Sequence, residues 1–580
     1  MFKNYFKTAF RNLLRNKNYA LINIAGLSVG IAACLIIFLL VQFETSFDNF
    51  HNNKNQIYRV VRATKTPGGT DYSRGGAFPV AQGLRLDYPQ LKNVARIYDE
   101  ENRQITVVDN KVNAAQKKFK EKDLFFAEPQ FFQIFNFPFL AGNPQTALSE
   151  PNTVLLTKQT AEKYFGDWHT AINKYIKYNN DKICKVTGIL KNLPLNTDFP
   201  LQIVFSFRTS ADDTSSDWVS TDGDLNTFVV LPQTISTQQF NNNLKLFVKK
   251  HTPEEYANQG YILQPLSEIH YDSRFGTYNR VTFGKELIAA LSIIGLFLLV
   301  IACVNFINLA TARAVNRSKE VGVRKVVGSS KMQLIFQFLS ETFLIAGVAV
   351  FAGVCIAVTA LPALNDLLQT SIKMSFDFYR IIFLITVVII VTSLSGLYPA
   401  IIISRFNPIV ALKNKFMNRA GSNLSLRKVL VVLQFTIAQV LIIGTLVIIQ
   451  QMNFFRNSPM GFDKEAIVTV PNPDDSMSQS KIGSLKNQLL QQAGIKNVSF
   501  STFSPADNSH WGGSFKFNNS AKKSDFNADL KWADADYFKT YNLQLIAGRL
   551  YSESDTVREI VVNETMVKTL GLRNPNDILG

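Results

Sequence analysis

Residues 318–341 read SKEVGVRKVVGSSKMQLIFQFLSE, a basic, glycine-punctuated run between two long apolar segments. Glu320 and Arg324 stand four apart with the acid first, the order that supports a helix. Val323, Val326 and Val327 gather on one face. Gly322 bares backbone in mid-helix, which costs stability and usually has a packing reason. Gly328 suits the position just past a helix end, and Ser330 with Gln333 has the spacing of a capping box that opens the next helix. The stretch therefore reads helix–glycine–helix, the first half lying on a membrane surface and the second entering the bilayer. Two uses remain open: a helical loop that only sets topology, or a docking helix whose apolar face and bare glycine meet a partner.

The flanks explain the membrane. Five apolar runs are each long enough for a bilayer core, which takes about 20 residues. They lie at 20–43, 286–312, 336–364, 379–404 and 429–450. They are apolar on every face, unlike the amphipathic helices that cover soluble cores. The first is too long for the apolar region of a secretory signal and lacks a small-x-small cleavage site, so it reads as a retained anchor. The fold class expected is an α-helical integral membrane protein, with five transmembrane helices in this chain and α+β extracytoplasmic domains.

A net charge of +17 suggests nucleic acid until the charges are located. Segments 1–19, 313–333 and 404–428 hold seventeen basic residues and only Glu320 as an acid, so they carry +16 of the total. Basic residues concentrated in short flanking segments mark the cytoplasmic side. The charge thus reports topology, and no nucleic-acid partner is expected. The N-terminus, 313–335 and the basic linker 405–428 are placed inside. Residues 44–285, the short connection 365–378 and 451–580 are placed outside. Cys34, Cys184, Cys303 and Cys355 offer neither a disulfide framework nor metal-ligand spacing, and the five histidines are scattered. No nucleophile–base constellation stands out, so no catalytic, metal or cofactor residue is assigned to this chain.

Within 44–285, strand-like runs such as IYRVVRAT, PNTVLLT, ICKVTGIL and LQIVFSF alternate with helix-like ones such as KQTAEKYFG and TQQFNNNLKLFVKKH. That mixture predicts an α+β domain. A repeat is visible as well. FFQIFNFPFLAGN at 131–143 aligns without a gap with YFKTYNLQLIAGR at 537–549, with Phe132/Phe538, Asn136/Asn542, Ala141/Ala547 and Gly142/Gly548 identical. The segments after them, 153–166 and 559–571, match in pattern with one residue of slippage. Residues 451–580 are therefore expected to be an incomplete second extracytoplasmic domain. The repeat logic implies about 230 further residues ending in three more membrane helices.

TARAVNRSKEVGVRKVVGSSKMQLIFQFLSETFL at 311–344 resembles the cytoplasmic-loop motif of the MacB/FtsX-type ABC transporter permeases. The basic, Phe-rich N-terminus running into LINIAGLSVGIAACLIIFLLVQFETSFDNFH, and LYPAIIISRFNPIVALK at 397–413, are similar to that family too. The resemblance implies a duplicated, eight-helix permease with one MacB periplasmic-core-like domain per repeat, set between the first two helices. It implies that the loop is a coupling helix contacting an ATPase, through Glu320, Val321, Gly322, Arg324, Lys325, Val326 and Gly328. The chain has no G-x-x-x-x-G-K-[ST], so ATP and Mg are expected only in a separate ABC ATPase subunit. The partners implied are that ATPase, a second permease in a homodimer or heterodimer, the lipid bilayer, and a periplasmic or outer-membrane protein. The location implied is a bacterial inner membrane, multi-pass, and the outcome is export or release of a substrate. An FtsX-like regulator of cell-wall hydrolysis and a membrane-anchored sensor or scaffold remain as alternatives.

Three further features carry expectations. Lys3, Lys7, Arg11 and Arg15 recur every four residues beside Phe2, Phe6, Phe10 and Leu13, as in an amphipathic surface helix or a topogenic tail. Glu341, one or two turns into the third span, is expected to pair with a nearby arginine rather than to mark an ion path. Asn305, Asn308, Gln434 and Gln439 are expected to tie helices together.

Overall fold

The computed structural model describes all residues except 1, 67–68, 109–116, 211–212, 257, 405–425, 473–474, 508–510, 519, 521–522, 525, 553 and 555. The basic linker expected at 405–428 thus lies almost wholly outside the described residues. Two compact units emerge, one of Met1–Phe47 with Phe283–Phe454 and one of Asp48–Thr282 with Phe455–Gly580.

In chain order, α1 (Phe2–Arg15) and α2 (Lys17–Glu44) come first. The second unit then begins with β1 (Ile57–Thr66), β2 (Gly69–Ser73), α3 (Val80–Asp87), β3 (Val94–Glu100), β4 (Arg103–Val108), β5 (Lys118–Glu121) and β6 (Leu124–Ala127). It continues through α4 (Phe131–Ile134), β7 (Phe139–Ala141), β8 (Thr153–Thr157), α5 (Lys158–Phe165), β9 (Tyr175–Tyr178), β10 (Lys182–Leu190) and β11 (Ile203–Ser206). β12 (Leu225–Val230), α6 (Thr237–His251), β13 (Gln259–Pro265) and α7 (Leu266–Ile269) follow. The first unit resumes with α8 (Lys285–Val326), α9 (Lys331–Leu368), α10 (Phe378–Ser404) and α11 (Leu426–Asn457).

The strands form one 13-stranded mixed sheet, in the order β13-β1-β12-β3-β6-β11-β8-β10-β9-β4-β5, with β2 on β1 and β7 on β10. The pairs β8–β10 and β6–β11 are parallel; the other ladders are antiparallel. Its main core is built of phenylalanine. Phe135 meets Phe131, Phe199 and Phe228 at ring centroid distances of 4.7, 4.7 and 5.0 Å. Such tilted and edge-on contacts add to what burial alone contributes. Within FFQIFNFPF, Phe131, Phe132, Phe135 and Phe137 are all buried, which is why this stretch tolerates so few polar residues.

The repeat has a structural counterpart. The short helix Tyr537–Thr540 lies at the same 406-residue offset from α4 (Phe131 to Tyr537), and the helix Glu564–Thr569 at that offset from the start of α5. Gly142 and Gly548, identical in the two copies, both have positive φ, +91° and +80°. The second copy is not a full replica. β8 is held between β10 and β11, whereas 559–563 has no ladder partner among the described residues.

In the first unit, α2, α8, α9, α10 and α11 are long and apolar enough to cross a bilayer. The expected spans are each extended at one or both ends, by one to seven residues, because helix continues beyond the apolar run. One expectation needs correcting: the second span does not stop near 312 to begin a separate surface helix. α8 runs unbroken for 42 residues, about 63 Å at 1.5 Å per residue. No Gly or Pro interrupts the turn after Arg313, so helical hydrogen bonding carries through. Small residues let the helices approach closely. A Cβ on Gly30 of α2 would lie 2.6 Å from the Ala302 Cβ of α8, and one on Gly353 of α9 would lie 3.1 Å from the Ser28 carbonyl oxygen of α2. Phe38 and Phe383 stack 3.8 Å apart between α2 and α10. α11 stays almost entirely exposed.

Candidate functional site

The loop end of α8 and the start of α9 hold the candidate site. Gly328 follows the C-cap Val327 with φ +103°, a left-handed conformation suited to glycine. The Gly328 and Ser329 amides donate to the carbonyls of Lys325 and Arg324 at 3.1 and 3.0 Å, closing the helix end. Ser330 then caps α9 in a reciprocal box. Its Oγ accepts from the Gln333 amide at 3.3 Å, and its own amide donates to Gln333 Oε1 at 2.9 Å. The expected helix–glycine–helix geometry is present down to its capping atoms.

The faces are arranged differently from expectation. Val321 is 3% exposed and packs against Leu334 of α9, Ile403 of α10 and the partly buried Phe338. Gly322 is buried as well. The bare glycine therefore serves packing within this chain and is not offered outward, a correction to the docking role first read into it. Arg324 donates to Glu320 at 2.7 Å and to Gln337 Oε1 at 2.6 Å, bracing α8 on α9. Lys325 Nζ donates to the Ser404 carbonyl at 2.6 Å, a cation at the carbonyl end of α10, where the helix dipole favours it. An apolar patch remains outward beside the exposed Glu320. Val323, Val326 and Val327 are 51%, 68% and 81% exposed, with Gly328 exposed beside them. Three of the seven expected contact positions, Glu320, Val326 and Gly328, are exposed; Val321 and Gly322 are buried, and Arg324 and Lys325 are partly covered by hydrogen-bond partners.

Gln337, Leu334 and the Ser404 carbonyl complete the site and were not anticipated. Gln337, four residues after Gln333 and four before Glu341, shows the helical spacing that could have flagged it. Of the outlying polar residues, Glu341 is buried and accepts from Asn12 Nδ2 at 2.6 Å. Asn305 is exposed, and Asn308 Oδ1 is buried with no partner among the described residues. Gln434 and Gln439 lie on the exposed α11. No group of three or more metal-ligating side chains occurs among the described residues.

Comparison with known proteins identifies two domain types in the chain. The model of the MacB-like periplasmic core domain matches residues 20–246, and that of the FtsX-like permease C-terminal domain matches residues 292–408. A macrolide export ATP-binding/permease protein MacB of Pasteurella multocida is 24% identical over 31% of this chain and 28% of its own length. One of Bradyrhizobium diazoefficiens is 32% identical over 22% and 19%. The chain thus spans less than a third of these relatives. The ABC transporter permease YvrN of Bacillus subtilis is 21% identical over 70% of this chain and 99% of its own length. With both domain types matched on a multi-pass membrane chain, the protein belongs to the MacB/FtsX-type ABC transporter permeases.

Proposed function

We propose that the chain is the transmembrane subunit of an ABC transporter, and that a separate ATPase subunit binds ATP and Mg and works on the loop end of α8. The observation that carries this reading is the continuity of α8. One helix joins the chain following the sheet domain to a tip that presents Val323, Val326 and Val327 to a partner. A displacement imposed there travels along a rigid rod rather than being absorbed at a joint. Three exposed valines beside the exposed Gly328 suit an apolar groove, the helix-in-groove mode of recognition. Export of a substrate is the outcome most in keeping with relatives named for macrolide export. The working unit is a dimer of permeases in a bacterial inner membrane, with the sheet domain outside, where a periplasmic or outer-membrane partner would meet it.

Val326→Glu with Val327→Glu tests the reading, because both side chains are exposed and their replacement leaves internal packing intact. The double variant should insert normally and lose co-purification with the ATPase. Retention of the ATPase at wild-type level would contradict it. Orientation is tested by thiol labelling of intact cells: an impermeant reagent should reach a cysteine at Ser216 and not one at Val327.

A further inference from the structure

A continuous chain of hydrogen bonds joins three helices of the membrane unit through side chains that no motif groups together. Arg313 of α8 donates through Nη2 to Asn16 Oδ1, at the junction between α1 and α2. Asn16 Nδ2 donates to Asn12 Oδ1 of α1 at 2.9 Å. Asn12 Nδ2 donates to Glu341 Oε1 of α9 at 2.6 Å. The chain is directional. A cation stands at one end and a carboxylate at the other, and the two amide dipoles between them are aligned head to tail, so each bond polarises the next. Glu341 is buried where an unpaired carboxylate would be costly. Arg313 is steered further by stacking over the Tyr19 ring, 4.7 Å from its centroid. Arg313, Tyr19 and Glu341 also line one cavity of about 30 Å³, room for a single water.

Apolar contacts run alongside. Phe6 of α1 meets Phe343 of α9 edge-on at 6.2 Å, Ala9 is fully buried, and Leu13 packs into the main cluster of the bundle. A helix that merely lay on lipid or carried a topology signal would need none of these.

We propose that Arg313, Asn16, Asn12 and Glu341 are positioning residues of a clasp that makes α1 part of the bundle. Through it, α1 and the start of α2 move with the loop end of α8. Arg313 lies about three to four turns before the tip valines on the same helix, so displacement of the tip pulls on the clasp and reaches α2 as well as α8. Only this last step rests on the proposed function; the clasp itself does not.

Hydrogen exchange read by mass spectrometry on the full chain in lipid nanodiscs tests the clasp. Asn12→Leu and Glu341→Leu should each speed exchange of the 2–15 segment about tenfold, as expected for loss of a partly buried, charge-assisted hydrogen bond. Glu341→Gln keeps an acceptor for Asn12 and should stay close to wild type. Asn16→Asp, at the partly exposed middle of the chain, sets a carboxylate against Asn12 Oδ1 and should also loosen 2–15. Adhesion to lipid predicts the opposite for Asn12→Leu, since a more apolar α1 would exchange no faster. Unchanged exchange in Asn12→Leu, Glu341→Leu and Asn16→Asp overturns the clasp. Equal loosening of α10 in all three overturns its local character.

A second arm uses the assembled complex. A non-hydrolysable ATP analogue should alter exchange of 2–15 in the wild type and not in Asn12→Leu, although the ATPase stays bound. A persisting response in Asn12→Leu overturns the transmitting role. Failure of any ATPase to bind the wild type overturns the proposed function and leaves the outcome of the first arm intact.

Discussion

Thr157 and Asn563 stand 406 residues apart and cap two helices in the same way. Thr157 Oγ1 accepts from the Thr160 amide at 3.3 Å, and Asn563 Oδ1 accepts from the Met566 amide at 2.9 Å. The residue type is not retained, but the N-cap oxygen is, because each helix start leaves amides that need an acceptor. At this position the equivalence of the two copies lies in backbone geometry more than in side-chain type.

Gly142 offers a direct test of that geometry. Its φ is +91°, and a Cβ would lie 2.6 Å from the Thr187 carbonyl oxygen and 2.7 Å from the Gly188 Cα. Both atoms belong to the backbone of β10, so neither can swing aside. Gly142→Ala should destabilise the sheet domain by about 3 kcal/mol, combining backbone strain with overpacking. Gly166 also has positive φ, but nothing lies within 4 Å of its would-be Cβ. Gly166→Ala should cost only about 1 kcal/mol. Denaturant midpoints measured side by side check the ordering, and equal losses would show that the clash with β10 is not felt.

Close packing in the membrane unit predicts a similar contrast. Gly30→Leu drives a side chain into Ala302 and the Leu298 carbonyl, whereas Gly347 has open space where a side chain would go. Gly30→Leu should lower the thermal midpoint in detergent by several degrees, and Gly347→Leu should leave it almost unchanged. Aggregation-monitored melting of the two variants decides it.

Acidification should stabilise the sheet domain. Burial and the neighbouring Asp224 push the Asp99 carboxyl up to about 7, and burial pushes Asp198 up to about 6 against the opposing pull of its hydrogen bond to His270. A carboxyl whose folded pKa is raised binds its proton more tightly in the native state. Its contribution is full below the unfolded value near 4 and is lost as pH rises through 6 to 7. Asp87, Asp272 and Glu128 are shifted downward by their cationic partners, so their contributions fade only below about 4 and do not oppose the trend. Melting temperature should rise from pH 8 to pH 5.5. Asp99→Asn should raise stability at pH 8 by about 2 kcal/mol and flatten the slope. A slope unchanged in Asp99→Asn would remove Asp99 as its source.

Much of the sheet was legible where strands were rich in β-branched or aromatic residues: β1, β8, β10 and β11 lie where the runs IYRVVRAT, PNTVLLT, ICKVTGIL and LQIVFSF predicted them. β3 was not legible. It is a central strand, yet it carries Arg96 and Asp99, both buried, which breaks the expected pattern. Arg96 is tolerated because Glu128 and Asp213 receive its guanidinium and Phe207 lies under it. Partners brought from so far along the chain leave no local trace. At the α8 tip, the glycine stop and the capping box were readable because they are local rules. The inward face of Val321 and Gly322 was not, because it depends on where α9 and α10 come to rest.

The central claim is that the exposed valines at the tip of α8 receive an ATPase subunit. Photo-crosslinking from single unnatural residues in native membranes measures this most directly. A crosslinker at Val326, 68% exposed, should capture an ABC ATPase, and one at Val321, packed on Leu334 and Ile403, should capture none. Capture of no ATPase from Val323, Val326 or Val327, with the protein inserted and stable, would contradict the account.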